Sequence, residues 1–95
     1  MPLYELMPFA EADVDQIFDY IAQDNLVYAF RWLKKIYYNF DLLSRHPLAG
    51  TLRKEFNKEV RFWSTGHYLI LYHPTTPIKI ARVLSCYRDL NLLLR

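Results

Sequence analysis

Residues Val60 to Leu90 read VRFWSTGHYLILYHPTTPIKIARVLSCYRDL, and the period of this stretch decides the fold. Val60 and Phe62 alternate with Arg61 and Trp63, while Tyr68, Ile70 and Tyr72 alternate with Leu69, Leu71 and His73. Successive side chains of a strand point to opposite faces of a sheet, so a period of two marks strands. Ser64-Thr65-Gly66-His67 supplies one turn and Pro74-Thr75-Thr76-Pro77 a second, since Gly, Pro and Ser punctuate strands in this way. Three strands joined so tightly pair antiparallel. The last of them runs through about Ile78 to Cys86, and the stretch closes on Arg88-Asp89-Leu90.

Working outward, the period changes to that of a helix. Leu3 to Met7 is a short apolar run ended by Pro8, which suits a first strand. Pro8 can open a helix without losing a hydrogen bond, Glu11 and Asp13 complement the helix dipole, and Val14, Ile17, Phe18 and Ile21 recur at helical spacing. This predicts a helix over about 9 to 23. Asp24-Asn25 breaks it and Asn25 caps a second helix over about 26 to 44, whose apolar stripe is read as Phe30, Leu33, Ile36, Tyr37, Phe40 and Leu43. Trp32 and Tyr38 fall off that stripe and are candidates for contact with a partner. His46, placed before Pro47, ends the helix, Pro47 to Gly50 form a turn, and Thr51 to Lys58 form a basic linker. The predicted architecture is α+β, in the order β-α-α-β-β-β, with a helical hairpin covering one face of an antiparallel sheet.

Ninety-five residues suffice for a single domain, 1 to 95, and 53% hydrophobic with 17% aromatic residues describes a packed protein rather than a disordered one. Charge is divided along the chain. The first 30 residues hold six acids and no Lys or Arg, giving −6, whereas residues 31 to 95 hold 12 bases and four acids, giving +8; together they give the net +2. The sheet half is thus expected to meet something negative. The amino-terminal segment lacks a basic and then apolar leader pattern, and no run of about 18 uncharged apolar residues occurs, so a cytoplasmic protein without a membrane partner is expected. Cys86 stands alone and is expected to be a buried thiol.

Arg61, Arg82 and Arg88 lie at or near the ends of neighbouring strands and are expected to form one basic patch, against the plainer reading of separate solvated charges. Arg82 interrupts an apolar strand, so it needs a partner, expected to be an acid on the first helix or on another protein. His46, His67 and His73 fall in a loop, a turn and a strand end with no spacing that builds a metal site. Neither Ser64, Ser85 nor Cys86 sits in a nucleophile motif, and two glycines make no phosphate loop. No metal or cofactor is expected. Aromatic residues, Trp63 among them, lie among the basic ones, which permits nucleic-acid stacking but more commonly builds core and interface.

Several of these residues, taken in order, carry a resemblance. Pro8 with Ala12-Asp13, Ile17 with Tyr20-Ile21, Leu43 with Pro47 and Gly50, Arg61, Gly66 with Tyr68 and Tyr72, and Arg82-Val83 leading to Arg88-Asp89-Leu90 resemble the RelE/ParE superfamily of bacterial toxins, with the ParE branch fitting best. The resemblance implies the toxin of a type II toxin-antitoxin module of the plasmid-stabilisation kind, held in a hetero-oligomer by a cognate antitoxin. The RelE branch cuts messenger RNA on the ribosome, using clustered cations; here its expected arginine position is Tyr68 and its paired lysines fall on Asn57 and Glu59. If the chain is such a ribonuclease, Arg88, His67 and Tyr87 would be its catalytic residues. The ParE branch is implied instead to bind DNA gyrase without catalysis, with Arg61, Arg82, Arg88, Trp32, Tyr38 and Trp63 as target- or antitoxin-binding residues.

Overall fold

A computed structural model describes residues 3 to 52 and 59 to 86. The order of elements is β1 (Tyr4–Leu6), α1 (Pro8–Asp24), α2 (Leu26–Arg45), β2 (Thr51–Leu52), β3 (Arg61–Thr65), β4 (Tyr68–His73) and β5 (Ile78–Ser85). Pro8 occupies the first turn of α1, where its missing N–H costs nothing. Asn25 is the whole connection between the helices. Its backbone N–H donates to the Ile21 carbonyl at 2.9 Å, closing α1, while its side-chain oxygen accepts from the Tyr28 N–H at 3.0 Å, capping α2. One residue that ends one helix and starts the next leaves no slack, so the two fold back on each other.

The sheet has five strands in the order β1-β5-β4-β3-β2. Strands β3 to β5 pair antiparallel, as expected, and β2 joins β3 antiparallel as well, but β1 pairs parallel with β5, Tyr4 opposite Ile78 and Leu6 opposite Ile80. The sheet is therefore mixed. The reason is topological: the helical hairpin carries the chain from one sheet edge to the other, and the meander then returns to lie beside its own start. A second correction concerns the basic linker, whose first two residues form β2, with Thr51 opposite Phe62 and Leu52 opposite Arg61. A bulge between Leu71 and Tyr72 shifts the β4/β5 register by one residue. It lets Ile80 and Val83 both join the helix-facing cluster although three residues apart, which strict alternation forbids.

The main core lies between helices and sheet, with Phe40, Leu43, Ile70, Tyr72 and Ile80 fully buried. A smaller cluster of Phe62, Leu69, Leu71 and Leu84, with Cys86 packed against it, occupies the other face of β3 to β5. The apolar stripe of α2 differs from the sequence expectation. The buried positions are Ala29, Trp32, Ile36, Asn39, Phe40 and Leu43, whereas Phe30 is 57% exposed and Tyr37 lies at the margin. Phe30 packs edge-on to Phe18 of α1, with ring centroids 5.1 Å apart. It seals the outer seam of the hairpin and leaves the sheet to Trp32.

Candidate functional site

Asp13 and Arg82 form a polar constellation that joins the first helix to the last described strand. Asp13 lies on the buried side of α1, where an unpaired carboxylate would be strongly disfavoured. Arg82 Nε donates to one carboxylate oxygen at 2.7 Å and Nη2 to the other at 2.9 Å, a two-pronged pairing. The backbone N–H of Val83 also donates to Asp13, at 2.9 Å. Strand β1 registers with β5 only through Ile80, so the carboxylate satisfies a strand N–H beyond the end of that pairing. The guanidinium lies 5.6 Å from the Phe9 ring centroid, within cation–π reach. Arg82 thus has the acidic partner on the first helix that its place in an apolar strand demanded, and its side chain stays 43% exposed.

Arg61 is tied elsewhere. Its Nη1 donates to the Gly50 carbonyl at 2.8 Å and more weakly to that of Leu48 at 3.4 Å. Beside it the Tyr72 hydroxyl donates to the Pro47 carbonyl at 2.7 Å and accepts from the Gly50 N–H at 2.9 Å. Together the two side chains clamp the turn that leads from α2 into β2. The clamp is tight: a Cβ on Gly50 would meet the Tyr72 hydroxyl at 2.7 Å. Burial raises the Tyr72 pKa above its usual 10.0, against the lesser opposing effects of the Gly50 hydrogen bond and the Arg61 charge. Arg61 and Arg82 stand two strands apart across β4, about 10 Å, each held by a different partner. These two do not merge into the single patch expected, and the third member, Arg88, lies outside the described residues, as do Tyr87 and Asn57.

The aromatic candidates divide. Trp32 is only 7% exposed, contrary to its expected place off the apolar stripe, and its ring lies 5.4 Å from that of Tyr68. Trp63 is half-buried against the core, where its indole N–H donates to Asn39 Oδ1 at 3.0 Å. Asn39 in turn donates to the Lys35 carbonyl at 2.8 Å and to Thr65 Oγ1 at 3.1 Å. Sequence reading missed Asn39, although its spacing of three from Ile36 and four from Leu43 was the available signal. Tyr38 is 63% exposed and alone of the three presents a fully outward ring. His67 sits exposed in the β3/β4 turn, and Glu59 is exposed just before β3. Among the described residues no three or more His, Cys, Asp or Glu side chains gather to hold a metal, and no helix is long and apolar enough to cross a membrane.

A mixed five-stranded sheet with a helical hairpin on one face, an acid of the first helix locked to an arginine of the last strand, and a clamped turn after the second helix define a small α+β class of protein. A family model described as the ParE toxin of type II toxin-antitoxin system, parDE, matches residues 4–90. The chain belongs to this family of type II toxin-antitoxin toxins, which implies a cognate antitoxin as partner. No match is found among curated proteins.

Proposed function

We propose that the chain arrests growth by binding DNA gyrase, without catalysing a reaction of its own, until a cognate antitoxin covers it. The observation that carries this reading is how Arg61 and Arg82, the two described arginines of the expected sheet patch, are used. Arg82 is committed to Asp13 and Arg61 to the Leu48 and Gly50 carbonyls, while Tyr68 and Glu59 stand where RelE-like cleavage would want positive charge. Cutting RNA by the superfamily's other chemistry needs cations at those sheet positions free to converge on one phosphate. Side chains already paired within the fold serve shape, and shape suits a binding protein.

The antitoxin is proposed to lie across the exposed aromatic surface of the helical hairpin, where Tyr20, Phe30 and Tyr38 stand outward, and to reach the basic half of the sheet with an acidic segment. The test is a supercoiling assay in which purified chain is titrated against gyrase with and without the protein encoded beside it. Inhibition relieved by that neighbour is the expected result. Unimpaired gyrase at a large excess of chain would remove the gyrase assignment while leaving the family membership intact.

A further inference from the structure

A hollow of about 340 Å³ opens between α2 and the β3/β4 turn, away from both arginine constellations. From the helix come Tyr28, Arg31, Trp32 and Lys35, at spacings that put them on one face; from the turn come His67 and Tyr68. Among the described residues no Asp or Glu lines it. Arg31 and Lys35 are four residues apart on an exposed helix face, a like-charge arrangement that disfavours the helix, and among the described residues neither makes an ion pair. The floor is apolar and aromatic, with Trp32 buried against Tyr68, while Tyr28 stands 56% exposed at the rim. Two cations without a counter-charge among the described residues, lining the same hollow of small-molecule size as the Tyr28 and Tyr68 rings, match a ligand that is anionic at one end and flat at the other.

We propose that this hollow binds a nucleotide unit, its phosphate on Arg31 and Lys35 and its base against the Tyr28 and Tyr68 rings, over the floor that Trp32 forms. An acidic peptide could offer the charge but would leave the ring faces without a flat partner. The same chemistry is carried by a free nucleotide and by a nucleotide of a single strand, and the hollow is open enough for either. The site is separate from the proposed gyrase-binding role, and either reading can fail without the other.

The experiment uses the full chain, labelled with ¹⁵N and followed through its two indole N–H resonances, assigned with Trp63→Phe. Adenosine 5′-monophosphate is expected to move the Trp32 signal saturably and more than that of Trp63, with adenosine and inorganic phosphate each binding more weakly. The double variant Arg31→Ala/Lys35→Ala, its circular dichroism unchanged, is expected to lose about tenfold or more in affinity, and added salt is expected to weaken the parent. A triadenylate that binds more tightly than the mononucleotide supports the proposal with a strand as the source; equal affinity supports it with the free nucleotide. It is overturned if neither nucleotide shifts Trp32 saturably, if the double variant binds as well as the parent, or if a heptaglutamate peptide saturates the hollow where nucleotides do not.

Discussion

Asp13 shows how much one side chain can settle. Its carboxylate receives both prongs of Arg82 and the Val83 N–H, so removing it leaves a guanidinium and a strand amide without their acceptor. Because the Arg82 side chain is 43% exposed and water can replace part of the loss, Asp13→Ala should cost about 1–3 kcal/mol. Urea unfolding of Asp13→Ala, Arg82→Ala and the double variant checks it. The double variant should lose clearly less than the sum of the singles, and strict additivity would mean the pair is not coupled. Tyr72 gives a pH dependence. Burial raises its folded pKa above the 10.0 of the unfolded chain, so the protonated hydroxyl contributes stability that is complete below pH 10 and fades as pH climbs through the folded value. Tyr72→Phe should therefore flatten the alkaline loss of stability, while costing about 1–3 kcal/mol at neutral pH by stranding the buried Gly50 N–H. Chemical denaturation between pH 7 and 11 measures both. That Arg82 needs an acid on the first helix was legible from its place in an apolar strand, but that helix holds five acids, and only the packing of α1 against β5 selects Asp13.

The elements owe their existence to local chemistry and their orientation to packing. Asn25 as double cap, Pro8 at a first turn and the two hairpin turns are local, and sequence reading places each helix end within a residue or so. Gly66 belongs with these: its φ of +58° is left-handed, and nothing lies within 4 Å of where a Cβ would stand. Gly66→Ala should thus cost about 1–2 kcal/mol from backbone strain alone, with Gly66→Asn losing less, because asparagine tolerates that conformation. Thermal melts of the two variants separate strain from crowding, since crowding would penalise the larger asparagine more. The buried face of α2 was not legible in the same way. Ten of its first fifteen residues are aromatic or aliphatic beyond alanine, more than one stripe can hold, so several faces satisfy the periodicity. Trp32 wins the sheet-facing position because it meets Tyr68, and Phe30 is left to Phe18 across the hairpin.

At the scale of the whole molecule, the −6 of the first 30 residues and the +8 of the rest are brought together by folding, yet only one ion pair among the described residues joins the two halves, Asp13 with Arg82. Most of that charge remains for partners. Binding of the cognate antitoxin should accordingly weaken as ionic strength rises from about 0.1 to 1 M, where the screening length falls from about 10 to 3 Å; titration calorimetry at several salt concentrations checks this, and a salt-independent affinity would assign the interface to apolar contacts alone. The sequence by itself determined what depends on nearest neighbours: the switch from helical to strand period, the caps, the turns, the division of charge and the ordered residues that carry the family likeness. Tertiary structure alone decided the parallel seat of β1 beside β5, the pairing of Thr51 and Leu52, the choice of Asp13, the clamp of Tyr72 and Arg61 on the turn after α2, and the face that α2 buries. Each of these depends on contacts between residues distant in the chain, where several partners satisfy the local pattern equally and only the packing of helices on the sheet separates them.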